Sequence, residues 1–183
     1  MDALTAIVTR RSAAKLGEPG PSRAQIVEIL EAGVRAPDHG RLSPWRFVVL
    51  EGAARARLGE AIAELKRRKK PEASPAELDR ERAKAQRAPV IVAVAARLDQ
   101  SGRIPEIEQV LAAGAATQNM FLAASALGFG AMWKTGEAAY DDDVKAALGL
   151  EASDRIVAFL YLGTTILEAP RREVAVEPLT IWL

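Results

Sequence analysis

The sequence predicts a layered domain of the α+β or α/β class, with helices on both faces of one sheet. The first observation is that residues 90–95 and 156–162 are almost continuously apolar, which is typical of strands covered on both faces. The second is that helical patterns alternate with strand patterns along the chain. The length of 183 residues is close to that of one domain, so we expect residues 1–183 to form a single unit.

Helices are predicted where a capping residue precedes apolar positions at helical spacing. Ser22 and Gln25 form a capping box, and the helix that begins there is expected to end before Pro37. A long alanine-rich stretch is apolar around most of its circumference, which predicts a buried central helix that ends at Gly128. The predicted helices span residues 2–10, 22–36, 105–127 and 140–148, and the predicted strands span residues 45–50, 90–95, 129–134 and 156–162.

Residues 53–87 form a highly charged segment with a second capping box at Ser74 and Glu77. We predict a solvated helix and loop there, a charged helical excursion from the domain. The segment contains the basic run Lys66–Lys70, for which the alternative interpretation is an interaction protein that binds nucleic acid. No aromatic residue interleaves the run to stack on bases, so we expect no nucleic-acid partner.

The C-terminal tail, residues 164–183, ends in the apolar sequence Leu179-Thr180-Ile181-Trp182-Leu183. An apolar, β-prone terminus has little reason to be exposed to solvent. We expect the tail to pack on its own domain or to pair with the sheet of a partner.

The composition excludes several classes of function. Twenty-five basic and 24 acidic residues leave a net charge of +1, which provides no field for general binding to nucleic acid or membranes. The chain has no cysteine and one histidine, His39, so we expect neither a cysteine nucleophile nor a metal site of the cysteine or multi-histidine kind. The sequence contains no secretion signal or membrane-length apolar segment, and we expect a cytoplasmic protein.

Arg10, Arg11 and Ser12 place two guanidinium groups and a hydroxyl together, which suits a phosphate. The alternative is that these cations complement the dipole at the end of the first helix. The glycine patterns of phosphate loops and of dinucleotide-binding folds are both missing from the sequence.

Two further segments carry residues suited to binding. The loop of residues 35–45 is stiffened by prolines and carries Arg35 and His39, so the histidine either takes part in binding or serves a structural hydrogen bond. Residues 128–136 place glycines on both sides of a short strand. These glycines would let a flat ligand approach the backbone closely. The alternative is that the segment is an ordinary buried strand. The polar and aromatic residues of this strand and its exit are Trp133, Lys134 and Thr135.

Four sequence blocks in this order resemble the nitroreductase family of flavin mononucleotide (FMN) enzymes, and in particular its short YdjA-like branch. The resemblance covers nearly the whole chain. It implies an α+β fold with a central, mostly antiparallel sheet flanked by helices, and an intertwined homodimer in which residues 164–183 pack on the partner subunit. The blocks are Arg10-Arg11-Ser12, Arg35-Ala36-Pro37-Asp38-His39 followed by Pro44-Trp45, Gly128-Phe129-Gly130 leading to Trp133-Lys134-Thr135-Gly136, and Phe159-Leu160-Tyr161-Leu162-Gly163-Thr164.

The resemblance also implies an activity. It implies an oxidoreductase that uses NAD(P)H to reduce electron-poor acceptors, such as nitroaromatics or quinones, by ping-pong hydride transfer through N5 of FMN. The cofactor carries the hydride, so no catalytic side chain is implied.

The site implied by the resemblance lies at the dimer interface, with one FMN per subunit. Arg10, Arg11 and Ser12 of one subunit would hold the flavin phosphate and pyrimidine edge, and Arg35 and His39 would reach in from the other subunit. The residues implied to line the flavin ring are Trp133, Lys134 and Thr135. Those implied to contact the nicotinamide are Ala123, Ala124, Ser125, Ala126, Leu127 and Gly128.

The chain departs from the family pattern at three positions. Many members carry a basic residue where this chain has Ala14, so the contact to the N1–C2=O edge of the flavin is expected from Lys15 or Arg11. Arg41 and Ser43 occupy places where many relatives have Asn and Gln. These departures support a second hypothesis, that the protein is a flavin store or sensor with little turnover.

Overall fold

The computed structural model describes residues 2–170 and 173–183. Its centre is a five-stranded sheet whose paired strands all run antiparallel. The strands are β1 (Ala13–Gly17), β2 (Trp45–Glu51), β3 (Val90–Ala96), β4 (Gly130–Lys134) and β5 (Arg155–Glu168). This arrangement confirms the fold class and the mostly antiparallel sheet that the resemblance implied.

The long strand β5 organises the sheet. Its first half pairs with β3 on one edge and with β4 on the other, and β3 in turn pairs with β2. The last part of β5 pairs with β1, from Gly17 opposite Thr164 to Ala13 opposite Glu168. Because β1 and β4 both pair with β5, two of the predicted site segments, which flank these strands, lie on neighbouring parts of one sheet.

Helices cover both faces of the sheet. The described residues form six α-helices, and none of those helices is long and apolar enough to cross a membrane. Helices α2 and α5 pack on one face, and α3 and α6 pack on the other. The helices are α1 (Ala3–Thr9), α2 (Arg23–Gly33), α3 (Ala54–Lys69), α4 (Pro75–Ala83), α5 (Glu106–Ala126) and α6 (Asp142–Ala147).

Strand β3 shows why an almost continuously apolar run is typical of a strand that is covered on both faces. All of its residues are buried, and successive side chains point to opposite faces of the sheet. Ile91 and Ala93 belong to the core under α3, whereas Val92 and Val94 belong to the core under α2 and α5. The prediction of helices on both faces is therefore confirmed.

The predicted elements are present with small shifts in their ends. Both capping boxes form, and the Ser22 hydroxyl accepts from the backbone N–H of Gln25 at 3.4 Å. The strand β1 was not predicted, because its five residues have no apolar alternation. The continuation of β5 beyond Leu162 to Glu168 was not predicted either, because Gly163 and two threonines interrupt the apolar run.

The charged segment 53–87 is helical, but it is not merely solvated, and that part of the prediction is wrong. Leu58, Ile62 and Leu65 of α3 are buried against the sheet. Their spacing of four and three residues places them on one face of the helix. Because most residues of the segment are charged, its sequence does not reveal this apolar face. Through this face, α3 forms part of the second helical layer on the sheet.

The basic run Lys66–Lys70 is largely neutralised by ion pairs. Arg68 contacts Asp141 at 2.7 Å and Asp143 at 2.9 Å, and Lys70 contacts Glu77 at 2.7 Å. Arg67 and Lys69 also contact carboxylates, those of Glu64 and Glu137. Paired charges give little long-range field, which argues against the nucleic-acid interpretation.

The tail leaves the sheet after Glu168 and does not pack into the core of its own protomer. The side chains of Ile181 and Trp182 are 87% and 92% exposed. Of the two placements expected for the tail, residues 164–168 show packing on their own domain, because they pair with β1. The apolar end of the tail, with Ile181 and Trp182, does not pack there. Arg171 and Arg172, which could add a phosphate contact from the tail, lie outside those residues.

Gly163 stands where β5, β1 and the start of β3 crowd together. A Cβ at this position would lie 2.7 Å from Pro89 Cδ and 2.8 Å from the backbone oxygen of Gly17. We expect Gly163→Ala to lower the free energy of unfolding by about 1–3 kcal/mol, because rigid groups must move. Chemical denaturation of the variant and the wild type measures the difference.

Gly17→Ala is the matched control for this prediction. Its Cβ would meet only the end of the exposed Ile166 side chain, which can move away at low cost. We expect the Gly17 variant to keep wild-type stability. Equal stabilities of the wild type and the Gly163 variant would contradict the packing described for this corner of the sheet.

Candidate functional site

The Arg10-Arg11-Ser12 block is the connection between α1 and β1. Asp2 caps α1 by accepting from the N–H of Thr5, and the helix ends at Arg10. Arg10, Arg11 and Ser12 line a groove of 820 Å³ together with Ile7 and the first residues of the tail. The two arginines and the serine thus border one open groove, and their binding of a phosphate stays a prediction.

The two arginines have different surroundings. The guanidinium of Arg11 forms an ion pair with Glu168 at 2.7 Å, so its charge is already compensated. The guanidinium of Arg10 lies 4.8 Å from the ring centroid of Phe121 and forms no ion pair within residues 2–170 and 173–183. Arg10 is therefore the cation of this groove best placed to bind an anion.

The loop that carries His39 has an unusual backbone. Gly40, Arg41 and Ser43 all have positive φ, of 73°, 53° and 49°. For residues with a side chain this conformation costs about 1–3 kcal/mol each, and such costs are common at functional sites. The Asp38 carboxylate holds the loop by accepting from the backbone N–H of Ser43 at 2.6 Å.

His39 is fixed by a carboxylate on the neighbouring helix. Its Nδ1 contacts Oε2 of Glu108 near the start of α5. Because an ionised carboxylate only accepts hydrogen bonds, Nδ1 is the donor and Nε2 remains for a ligand. Arg35 follows the end of α2, where it is exposed.

A single protomer does not bring His39 and Arg10 into one pocket. Both side chains contact α5, His39 at Glu108 and Arg10 at Phe121. At 1.5 Å per residue these two points on the helix are about 20 Å apart. His39 and Arg10 therefore lie towards opposite ends of α5 in one protomer.

The exit of β4 borders a cavity of 490 Å³ beneath α3 and α4. Lys134 and Thr135 line this cavity, together with Gly136 and the aromatic ring of Tyr161. Trp133 has a different role within the protomer, because its Nε1 donates to the backbone oxygen of Val157 at 2.9 Å. Two of the three residues predicted to line a flat ligand thus face the same space.

The charged residues that line this cavity are mostly basic, with Glu81 and Glu137 as the acidic ones. A second cavity of 330 Å³ shares Arg87 and Lys134 with the first, and is also lined by Ala14 and Lys15. The first cavity adds Lys66 and Lys84, of which Lys84 is paired with Glu81. Together the two cavities form a cation-lined trough that begins beside β1, close to the Arg10 groove.

Sequence reasoning missed three residues of this trough, Lys66, Lys84 and Arg87. They lie in the segment that was interpreted as solvent-facing, and no motif marks them. The only signal is that Arg87 lies three residues before Val90, the buried start of β3. Of the two residues expected to replace a cation at position 14, Lys15 lines the trough, whereas Arg11 faces the groove.

Tyr161 lies at the base of the larger cavity. Burial raises the pKa of its hydroxyl, and the nearby charge of Arg87 opposes that shift. A phenol is already neutral near pH 7 at its ordinary pKa, and the raised pKa leaves it so. The cavity therefore contains a neutral phenol beside its charged side chains. A flat, electron-rich or anionic ligand suits this lining.

The segment predicted to contact the nicotinamide is the last turn of α5 and its glycine stop. Ala124 is fully buried in the core, whereas Ala126 and Gly128 are exposed. Ser125 lines a small cavity of 90 Å³ with Arg11 and Ser12. The segment therefore borders the arginine groove, and its contact with a nicotinamide stays a prediction.

Comparison with known proteins decides the family. The sequence pattern described as "Nitroreductase family" matches residues 7–164. The chain belongs to the nitroreductase family. The resemblance drawn from the four sequence blocks is confirmed, and since nitroreductases are oxidoreductases, this chain is an oxidoreductase.

Individual members of the nitroreductase family match over the same length. The Escherichia coli K12 protein named "Putative NAD(P)H nitroreductase YdjA" is 40% identical over 174 residues, which cover 92% of this chain and 91% of that protein. A nitroreductase-like protein from Bacillus cereus superposes with a TM-score of 0.83 at 23% identity, covering 100% of this chain and 96% of that one. This likeness shows the fold alone.

A solved structure from Desulfovibrio desulfuricans is described as a "putative nitroreductase in complex with FMN". It superposes on this nitroreductase-family chain with a TM-score of 0.79 at 27% identity. The superposition covers 100% of this chain and 98% of that one. FMN is thus found on a protein of this fold and length.

Proposed function

We propose that this nitroreductase-family chain binds FMN and uses NAD(P)H to reduce electron-poor acceptors, with nitroaromatics and quinones as the acceptor class. The observation that carries the proposal is the arrangement around β1. An arginine groove lies at the start of this strand, and a cation-lined trough begins beside its middle residues. The names of the YdjA relative and the FMN-bound neighbour support the same cofactors.

The residues present fit FMN. A phosphate needs forked cationic donors and a hydroxyl, which Arg10 and Ser12 offer in the groove. A tricyclic ring needs a partly apolar cavity of a few hundred Å³, and the 490 Å³ cavity with Lys134 and Thr135 at its rim meets that need. Arg10 and Ser12 would therefore hold the phosphate, and Lys134 and Thr135 would line the ring.

When bound, FMN would supply two-electron hydride chemistry between NAD(P)H and an acceptor. The side chains of this protein bind and orient instead of reacting. The cations of the trough favour negative charge on a ligand, and the neutral hydroxyl of Tyr161 donates a hydrogen bond. Because the cofactor would carry the hydride, the enzyme needs no reactive side chain, which is consistent with one histidine and no cysteine.

A homodimer completes the proposed site. His39 contacts α5 about 20 Å from the point where Arg10 contacts it, so a second copy would supply His39 and, with it, Arg35. The protomer also exposes apolar side chains that a partner would cover. These are Leu4, Ile7 and Val8 of α1, Ile107 and Leu111 of α5, Ile166 and Leu167 of β5, and Leu179, Ile181 and Trp182 of the tail.

Titration of the purified protein with FMN tests the proposal. We expect about one FMN per protomer, and bleaching of the flavin absorbance when NADH or NADPH is added under anaerobic conditions. Turnover with a quinone or a nitroaromatic should then restore the oxidised spectrum. A colourless protein that takes up no FMN would overturn the proposal, whereas bound flavin that stays oxidised with both donors would favour the store or sensor hypothesis.

A further inference from the structure

Two hydrogen bonds fix the loop that carries His39. The Asp38 carboxylate accepts from the backbone N–H of Ser43 at 2.6 Å, which closes the loop on itself. The backbone N–H of Arg97, directly after β3, donates to the backbone oxygen of Pro44 at 2.6 Å. The histidine is therefore carried by a backbone that is attached to the sheet and lies next to the start of α5.

The backbone around Glu108 is fixed as well. Glu108 lies in the first turn of α5, beside Gln109, which is 2% exposed. The Gln109 side chain accepts from the backbone N–H of Asp99 at 2.8 Å and donates to the backbone oxygen of Ile104 at 3.0 Å. These hydrogen bonds hold the beginning of α5 against the preceding loop, so Glu108 reaches His39 from a fixed position.

The contact with Glu108 is the one hydrogen bond that the His39 ring makes among the described residues. Both side chains are accessible to solvent, with exposed fractions of 63% for His39 and 38% for Glu108. Exposed ion pairs contribute little to the stability of a fold. The contact therefore orients the ring without being needed for folding, and it leaves the second ring nitrogen, Nε2, without a partner in this part of the chain.

The carboxylate also decides which ring nitrogen carries the proton. An ionised carboxylate only accepts hydrogen bonds, so the proton of the neutral imidazole lies on Nδ1, toward Glu108. Nε2 then holds a lone pair and accepts a hydrogen bond from its ligand. FMN has suitable donors in its ribityl hydroxyls and in the N3–H of its ring, whereas its ionised phosphate only accepts.

We propose that Glu108 is a positioning residue for FMN, because it turns His39 so that Nε2 accepts a hydrogen bond from the flavin held by the partner subunit. The proposal rests on the proposed function, since it requires FMN at a dimer interface. It names the chemistry that His39 offers there, which is an acceptor for a ribityl hydroxyl or for N3–H. The phosphate is left to Arg10 and Ser12.

NMR spectroscopy of the imidazole tests the tautomer. His39 is the only histidine of the chain, so untagged protein labelled with ¹⁵N-histidine gives a single imidazole spectrum. At about pH 8, where a free imidazole is neutral, we expect a protonated Nδ1 and an unprotonated Nε2 in the wild-type apoprotein. Glu108→Gln, whose amide oxygen still accepts from Nδ1, should keep this pattern, whereas Glu108→Ala should show the mixture of tautomers of a free imidazole. A wild-type ring protonated on Nε2, alone or together with Nδ1, would overturn the proposal.

Binding of FMN distinguishes positioning from a merely structural role. We expect Glu108→Ala to raise the dissociation constant of FMN about tenfold, and Glu108→Gln to keep most of the wild-type affinity. Because Glu108 acts through His39, Glu108→Ala should have no further effect in a chain that already carries His39→Ala. Glu106→Gln, which removes a neighbouring carboxylate that pairs with Arg155 instead, is the matched control and should bind FMN as the wild type does.

The two donors of FMN are distinguished with lumiflavin, which has the ring and lacks the ribityl chain. An effect of Glu108→Ala that persists with lumiflavin assigns the hydrogen bond to N3–H, and an effect that disappears assigns it to a ribityl hydroxyl. Wild-type affinity of Glu108→Ala for FMN, or full additivity with His39→Ala, would overturn the role of Glu108 while leaving the proposed function intact. Failure of the wild-type protein to bind FMN would overturn both.

Discussion

Arg10→Ala is expected to raise the dissociation constant of FMN by about 10- to 100-fold, because one charge-assisted contact to the phosphate is lost. Arg10 is chosen over Arg11 because it lines the groove and its guanidinium has no carboxylate partner within the described residues. Arg11 is already paired with Glu168. Fluorescence titration of FMN with the apoprotein measures the change.

Two controls make this result specific. Arg57→Ala removes an exposed arginine on α3 and should leave the affinity for FMN unchanged. Riboflavin, which lacks the phosphate, should bind the Arg10 variant and the wild type with similar affinity. Wild-type affinity of the Arg10 variant for FMN would contradict the assignment of the groove to the phosphate.

The second large effect is expected from the tail. Ile181 and Trp182 are almost fully exposed in the protomer, so changing them removes few contacts within the chain. We expect Ile181→Asp with Trp182→Asp to weaken the dimer about 1000-fold, since two large apolar side chains are lost from the interface and charges replace them. Sedimentation velocity should show a monomer that no longer retains FMN.

The conservative double variant Ile181→Val with Trp182→Phe is the matched control. It keeps an apolar tail and should remain a dimer with bound FMN. Circular dichroism should show both variants folded, because the tail makes no core contact within the described residues. An Asp double variant that stays dimeric would contradict the packing of residues 164–183 on a partner.

The sequence predicted the parts of this fold in which neighbouring residues carry the information. The apolar runs of β3 and β5 and the two capping boxes are local patterns, and the structure contains them. The buried face of α3 was missed because only three large apolar side chains, those of Leu58, Ile62 and Leu65, are buried there among many charged neighbours.

The candidate site was predictable only where a motif marks it. Arg10, Ser12, His39 and Lys134 belong to recognisable blocks, and the structure places each at a groove, a strained loop or a cavity. Arg87 could not be found in this way, because the trough is assembled from β1, β4 and the end of the charged segment, which are far apart in the chain. The contact of His39 with Glu108 likewise joins residues distant in sequence.

If one FMN is held by Arg10 of one copy and His39 of the other, mixed dimers will show it. Arg10→Ala and His39→Ala chains carrying different affinity tags are co-expressed, and dimers containing both are isolated. Such a dimer has one site with both changes and one site with neither. We expect each homodimer of a variant to lose FMN, whereas the mixed dimer should retain one FMN with wild-type affinity. A mixed dimer that binds FMN no better than the variant homodimers would contradict it.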